Sequence, residues 1–474
     1  MLNNIPRPAL RSIATKHQIC YHLHMLIIKI LLGLLGLGIV VFVHELGHFL
    51  AARLVRINVE AFSIGWGKPI LKKKIGAVEY RLGMFPIGGY CKMQGDNDYN
   101  NEAYEKMSQG IKPEEGSYHA ANPWARILVC FAGPFFNLLF AVILLSLIWG
   151  AGREINTLPN KIVLYSEVTP DQTYPADEAG FKTGDRIIGI NGKPITYYHE
   201  IQENTVLNPN KPLEMTVDRD GEILSLHVTP ALDKSSGAGR IGISYWIDPV
   251  IESVKPDSPA ERAGLRPGDI VTAANGEPID KSLDLVKVRS ANPGGIVLTY
   301  ERYGFPQTAE FSAEELEGEL GFSWTSIQYR TPNLSIPAAV VKGMQESVKT
   351  LIISVKSLRL LFMGIDLTSA VSGPVRITYM IGETAAQGFG QSVSDGLRSS
   401  AEFIALISIA LCVMNLLPLP IIDGGMIILF LVEWIRRKPA HPKAIAVFQG
   451  CGMVIIFGLL VLAVFGDILF FVRQ

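Results

Sequence analysis

The segment 42–54, FVHELGHFLAARL, places two histidines and a glutamate at the end of an apolar run. Residues 31–43 contain no charged side chain, so His44, Glu45 and His48 stand where the run would otherwise continue. On a helix, His44 and His48 project from the same face about one turn apart. Two imidazoles at this spacing can share one zinc ion, and Glu45 then lies beside the metal as a general base. The pattern therefore predicts a zinc site rather than histidines buried in a helix bundle.

A catalytic zinc ion usually takes three protein ligands and keeps a fourth position for water. The only acid in residues 403–432 is Asp423, which lies within NLLPLPIIDGG, residues 415–425. A carboxylate in an apolar segment is a functional candidate, and zinc would compensate its charge. Asn415 offers an amide that could hold the substrate backbone or a developing oxyanion. Its alternative role is to bond carbonyls that the two prolines of this stretch leave free.

The composition of the chain is typical of a membrane protein, because 48% of its 474 residues are apolar and they gather in long blocks. Its formal net charge of −1 gives no reason to expect a nucleic-acid partner. The five cysteines form no CxxC pair, which argues against a disulfide framework and a thiolate zinc site. Four segments are long enough to span a bilayer, at about 25–50, 124–150, 400–432 and 445–472.

A further apolar segment, 340–365, carries charged side chains mostly on one helical face. We expect an amphipathic helix at the membrane interface, with a crossing helix as the alternative. Lysine and arginine cluster between the first two spans and between the last two, so both loops are expected to be cytoplasmic. Residues 151 to about 398 and both termini then lie outside. Residues 1–24 precede a second methionine, Met25, and are expected to be an extension or to reflect a start at Met25.

The external region contains an internal repeat. ADEAGFKTGDRIIGINGKPI (176–195) aligns without gaps on AERAGLRPGDIVTAANGEPI (260–279), with nine of twenty positions identical. Each copy predicts a short helix, a Gly-Asp turn, a strand and a tight Asn-Gly turn. These residues resemble PDZ domains of bacterial proteases, in which an extended peptide can add as a strand beside a groove. The alternative is a pair of spacers whose grooves are unused.

Several motifs together resemble the site-2 protease family of intramembrane zinc metalloproteases. They are HELGH in the first span, AGPFFN (132–137) in the second, the tandem repeats, SGP (372–374) and NLLPLPIIDGG in the third. The resemblance extends from about Met25 to the C-terminus. It implies that His44, His48 and Asp423 bind Zn²⁺, that Glu45 is the catalytic base, and that Asn415 positions the substrate.

The loop segment VEYRLGMFPIGGYCKM, residues 78–93, predicts a β-hairpin and is similar to the family's membrane re-entrant β-loop. A helical substrate has its carbonyls bonded internally, so a strand edge beside the zinc would help to bind an unwound segment. We expect Tyr80, Leu82, Gly88 and Gly89 to contact substrate in this way. A plain interfacial hairpin is the alternative.

The sequence thus predicts a polytopic α-helical membrane protein with about four spans, a membrane-associated β-hairpin loop and two external PDZ-like α/β domains. The expected regions are an N-terminal extension 1–24, a first span 25–54, a cytoplasmic loop 55–123, a second span 124–150, PDZ-like domains 160–245 and 246–325, an interfacial region 335–398, a third span 399–435 and a fourth span 445–472.

By resemblance, the protein is expected in a bacterial inner membrane, in contact with lipid. Its substrates would be single-span membrane proteins, including anti-sigma factors already trimmed by an upstream site-1 protease, and remnant signal peptides. The alternatives are a non-catalytic membrane adaptor or a quality-control receptor with a structural metal site. The glutamate of HExxH counts against the adaptor, because a structural site needs no base, whereas only a turnover assay separates the receptor from an enzyme.

Overall fold

The computed structural model describes residues 7–95, 102–152, 154–167, 169, 172–234, 237–331, 333–360 and 372–472. The chain divides into two compact units, one formed by residues 1–152 with 333–474 and the other by residues 153–332. The predicted region 160–325 falls within the second unit, and its division into two domains stays a prediction.

The first unit begins with a long helix and a two-stranded structure that leads to the second apolar helix. These elements are α1 Arg7–Leu54, β1 Val59–Ile75, β2 Val78–Met93, α2 Glu102–Ser108 and α3 Pro123–Ala151. Helix α1 starts well before Met25, so the described part of the predicted extension is helical and continuous with the first span.

The second unit consists of short strands and helices. In chain order they are β3 Glu154–Thr157, β4 Ile162–Leu164, α4 Pro175–Glu178, β5 Arg186–Ile190, β6 Lys193–Pro194, α5 Tyr198–Val206, β7 Leu213–Arg219, β8 Glu222–Val228, β9 Ala231–Leu232, β10 Gly239–Arg240, β11 Ile243–Tyr245, β12 Ile251–Val254, α6 Pro259–Arg262, β13 Ile270–Ala274, β14 Glu277–Pro278, α7 Ser282–Ala291, β15 Gly295–Arg302, β16 Phe305–Ser312, α8 Ala313–Glu317, β17 Phe322–Trp324 and β18 Ile327–Arg330.

The chain then returns to the first unit with five helices. They are α9 Ile336–Leu360, α10 Pro374–Gln391, α11 Val393–Asn415, α12 Asp423–Arg436 and α13 Pro442–Val472.

Four of the described helices are long and apolar enough to cross a membrane, which agrees with the predicted number of spans. They are α1 from His24 onward, α3, α11 and α13. The predicted third span, 399–435, is not one helix, because α11 ends at Asn415 and α12 begins at Asp423. Pro418 and Pro420 lack backbone donors and interrupt the helix between these residues.

Helix α9 covers most of the predicted amphipathic segment 340–365; its last part, 361–365, lies outside the described residues. It packs along α3, where a Cβ at Gly343 would overlap Ser146. Further along, Leu351 packs against the small apolar cluster that includes Ala141. The placement of α9 at the membrane interface stays a prediction.

The SGP motif forms the start of α10, and a carboxylate of α13 binds to it. Asp467 is 4% exposed and accepts hydrogen bonds from the backbone N–H groups of Gly373, Val375 and Arg376. A helix N-terminus carries unpaired donors and partial positive charge, so it stabilises this buried acid. The motif therefore connects the last span to α10.

Strands β1 and β2 both bend and together form a sheet of four segments. Residues 61–64 pair with 89–92 on one side and with 79–82 on the other, and 71–75 pair with 78–82. The predicted hairpin 78–93 is therefore a single bent strand whose partner is β1. The outer edges of this sheet are formed by 89–93 and 71–75.

The second unit contains the predicted repeat as two similar four-stranded sheets, of order β6-β5-β7-β8 and β14-β13-β15-β16. Asn191 and Asn275 both have positive φ at the tight turns predicted from Asn-Gly. The repeated Gly-Asp turns also share a role. Asp185 and Asp269 are each 1% exposed, and each accepts two hydrogen bonds from an arginine, Arg219 and Arg302 respectively.

The first and last strands of the second unit pair with each other. Strand β3 is antiparallel to β18, with Thr157 opposite Ile327 and Glu154 opposite Arg330. The two ends of this unit therefore leave it side by side.

Candidate zinc centre

Two helices bring the three predicted ligands together. His44 and His48 lie on α1, and Asp423 is the first residue of α12. The Nε2 atom of His44 is 3.1 Å from that of His48 and 3.3 Å from Asp423 Oδ2, while His48 Nε2 is 3.6 Å from Asp423 Oδ1. All three side chains are mostly shielded from solvent. Each offers one ligand atom to a common centre, and these atoms lie within 4.8 Å of one another.

The separations fit a tetrahedral zinc ion. Nitrogen and oxygen ligands about 2.0–2.2 Å from such an ion stand about 3.3 Å apart, close to the three distances in this cluster. Two imidazoles and a carboxylate are also a ligand set that zinc accepts, and three protein ligands leave a fourth position for water. The residues present therefore fit the metal that the sequence predicts.

Helix α3 supports both histidines. His48 Nδ1 is 2.8 Å from the carbonyl oxygen of Val129, so the ring donates from Nδ1 and keeps Nε2 for the metal. Gly133 lies directly against the two rings. A Cβ added there would come within 2.4 Å of His48 Nε2 and 2.8 Å of His44 Cε1. The glycine of AGPFFN thus makes room for the imidazoles.

The DGG sequence allows α12 to begin tightly against the turn before it. A Cβ at Gly424 would overlap the backbone of Leu416 and Leu417, and one at Gly425 would overlap the backbone of Leu419. In the same turn, Ile421 has φ of 80°, a conformation that β-branched residues rarely adopt. These contacts determine where Asp423 lies.

A buried ion pair fixes the other end of α12 to α3. Arg126 Nη2 is 2.7 Å from Glu433 Oε2, and both residues are at most 3% exposed. The Arg126 guanidinium also lies 4.5 Å from the centre of the Phe430 ring, and Glu433 accepts from the N–H of Ala440. Because α12 carries Asp423 and α3 carries Gly133, this pair helps to hold the ligand helix against the supporting helix.

The edge strand 89–93 lies beside the predicted catalytic base. A Cβ at Gly89 would be 3.1 Å from Glu45 Cγ and 3.3 Å from Val41 Cγ1. Gly88 has φ of 85° and packs against Trp66, whose indole donates to the Gly89 carbonyl. The structure thus brings Gly88 and Gly89 to the candidate site.

Tyr80 and Leu82 do not lie on this edge. They belong to the segment 79–82, which is separated from the edge strand by residues 59–64. The Tyr80 ring packs on Phe49 and Phe62. Sequence position within β2 suggested the same role for all four residues, but the bends of β1 and β2 separate them.

Two carboxamides approach His44. Asn415, the last residue of α11, has Nδ2 3.5 Å from His44 Nε2, so the predicted residue does lie at the cluster. Asn137, on α3, has Nδ2 3.3 Å from His44 Nδ1. Sequence reasoning missed Asn137, although a carboxamide inside an apolar span was a signal for it.

The comparisons with known proteins agree with this geometry. The model of "Peptidase family M50" matches residues 32–459. The chain belongs to peptidase family M50. This M50 peptidase is 35% identical over 447 residues to "Putative zinc metalloprotease" of Treponema pallidum (strain Nichols), covering 94% of this chain and 99% of the relative. It is 27% identical over 455 residues to "Regulator of sigma-E protease RseP" of Escherichia coli (strain K12), covering 92% and 97%.

The family confirms the resemblance drawn from the motifs. This M50 peptidase is an intramembrane zinc metalloprotease of the site-2 type, with zinc as its metal. The four apolar helices are consistent with a bacterial inner-membrane protein.

Proposed function

We propose that His44, His48 and Asp423 hold the zinc ion and that Glu45 is the catalytic base. The observation that carries this assignment is the convergence of three ligand atoms from two helices distant in sequence, within 4.8 Å of one another. The position of Glu45 next to His44 on α1, with Gly89 of the edge strand close to its Cγ, supports its role.

A zinc ion bound here would lower the pKa of a coordinated water and polarise the scissile carbonyl. Glu45 removes a proton from the attacking water and delivers it to the leaving nitrogen as the C–N bond breaks. Asn415 donates its amide N–H to the substrate carbonyl oxygen, where negative charge develops. The products are a new carboxylate and a new amine.

The substrate is proposed to bind as an extended strand along residues 88–93. Main-chain hydrogen bonds to this edge would hold an unwound segment with its scissile bond near Glu45. Gly88 and Gly89 keep the edge free of side chains where the strand passes the site. The proposed substrates are single-span membrane proteins cut within or near the membrane segment.

The biological setting is proposed from the same family resemblance. It includes the second cut of anti-sigma factors after a site-1 protease, and the removal of remnant signal peptides. The two repeats of the second unit are proposed to be PDZ-like domains on the outer side of the membrane, as are both termini. The lysines and arginines between the first two spans and between the last two support this orientation.

The test is to compare purified wild type with Glu45→Gln and Asp423→Ala. Glu45→Gln should retain zinc and lose cleavage of a single-span substrate, because the amide is not a base. Asp423→Ala should lose both zinc and cleavage. Glu115→Gln, at an exposed glutamate of the loop before α3, is the control and should behave like wild type. Full cleavage by Glu45→Gln would overturn the assignment of the base.

A further inference from the structure

The carboxamide of Asn137 is buried against a proposed zinc ligand with one of its polar atoms unpaired. Asn137 is 0% exposed on α3, and its Nδ2 is 3.3 Å from His44 Nδ1. Its Oδ1 is buried and, among the described residues, has no hydrogen-bond partner. Leaving a buried amide oxygen unpaired costs free energy, so this arrangement requires an explanation.

Zinc binding determines which nitrogen of the His44 ring carries the hydrogen. Its Nε2 faces His48 and Asp423, whereas its Nδ1 faces Asn137. An imidazole that binds metal through Nε2 while neutral has its hydrogen on Nδ1. Nδ1 is then a donor and needs an acceptor, which an NH₂ group cannot provide.

A half-turn about the Cβ–Cγ bond of Asn137 makes the buried amide oxygen and the His44 Nδ1–H partners of each other, while the NH₂ group takes the former position of the oxygen. Such a turn exchanges the amide oxygen and nitrogen without moving the rest of the side chain. It breaks no hydrogen bond of Oδ1 within the described part of the chain, and it places the oxygen opposite His44 Nδ1–H.

We infer that Asn137 is a positioning residue that accepts a hydrogen bond from His44 Nδ1 and thereby orients the ring for zinc. His48 already has the equivalent support, because its Nδ1 faces the carbonyl of Val129. Val129 and Asn137 are about two turns apart on α3, so one helix supplies an acceptor for each histidine. This inference rests on the proposed zinc site, and the experiment separates the two.

The experiment measures zinc retention by the full-length purified protein during titration with a chelator. Asn137→Leu has a similar size but no acceptor, and it should lose zinc at a chelator concentration about 10–100-fold below that of wild type. Asn137→Asp keeps an acceptor oxygen and should retain zinc at least as well as wild type. Normal zinc retention by Asn137→Asp would show that the His44 ring needs an acceptor at this position and not only a side chain of the right volume.

Two further variants complete the test. Ser408 donates to the backbone oxygen of Asn137, so Ser408→Ala removes a neighbouring contact of the same residue and leaves the side-chain acceptor in place, and zinc retention should stay within about twofold. His44→Ala should lose zinc; retention in this variant would overturn the zinc site itself. Wild-type retention by Asn137→Leu overturns the inference about Asn137 alone. Weakened retention by a folded Asn137→Asp also overturns it, even if the leucine variant fails to fold.

Discussion

At the scale of single residues, the proposed zinc centre depends on a missing side chain as well as on its ligands. Gly133 lies beneath both imidazoles, and any Cβ there would overlap His48 Nε2. The two rings cannot both move away from such a Cβ, because His48 is also hydrogen-bonded to the Val129 carbonyl of the same helix. Close approach of α3 to α1 therefore requires glycine at this position.

Gly133→Ala should abolish zinc binding and cleavage. Gly150→Ala is the matched control on the same helix, because its Cβ would lie 3.7 Å from Ala339 Cβ, an ordinary contact. Zinc content and cleavage of a single-span substrate should be normal in this control. Measuring both quantities in both variants checks the expectation, and a zinc-loaded Gly133→Ala would show that the rings can be held differently.

At the scale of elements, the bends of β1 and β2 decide which residues reach the base. Residues 89–93 form an outer edge next to Glu45, while residues 79–82 are paired on both sides. Of these two segments, only 89–93 has a side available for an added strand. The proposed substrate position thus follows from the order of segments in the sheet.

Gly89→Ala should lower cleavage by about ten- to a hundredfold, because its Cβ would crowd Glu45 and displace the edge by a fraction of an ångström to an ångström. Zinc content should stay at the wild-type level, since the three atoms nearest to the added Cβ belong to Ser63, Glu45 and Val41 and not to a zinc ligand. Leu71→Ala changes an exposed side chain on the opposite edge of the sheet and is the control. Equal cleavage by all three proteins would exclude the edge at 89–93 as the substrate-binding strand.

At the scale of the whole molecule, the second unit is an insertion whose two ends pair with each other. Because β3 and β18 are paired antiparallel, removing the residues between them should leave two strands that a short turn can join. On the proposed orientation, the inserted repeats lie outside the membrane. They could then exclude substrates with bulky external domains by volume alone, without any peptide in a groove.

Deleting residues 158–326 and joining Thr157 to Ile327 through Asn-Gly should preserve zinc binding and relax substrate selection. A two-residue turn of this type suits two antiparallel strands with directly opposed ends. The measurement is cleavage of one single-span protein, full-length and externally truncated, by wild type and the deletion variant. The deletion should cut both forms, whereas wild type should cut mainly the truncated one.

Two results would contradict the proposal that the repeats exclude substrates with bulky external domains. A zinc-loaded deletion variant that still cuts only the truncated substrate would show that selection occurs elsewhere. Loss of cleavage of both forms would indicate that the repeats capture substrate, as PDZ-like grooves would.

The sequence by itself determined the features that depend on local spacing and on the solvent. Histidines four apart must share a helical face, and one acid in a long apolar stretch needs a compensating charge, so His44, His48 and Asp423 could be selected together. The two repeats and their Asn-Gly turns were likewise predictable, because positive φ at a tight turn restricts the residue types. Two prolines indicated that the helix breaks before Asp423.

Only the tertiary structure decided which distant residues support that site. Asn137, Gly133 and the Arg126–Glu433 pair act across helix interfaces, and the contact between Gly89 and Glu45 depends on how a bent sheet folds back on α1. No periodicity within one segment encodes such contacts. They arise from the close packing of whole helices and strands, in which the position of one Cβ determines whether two backbones can meet.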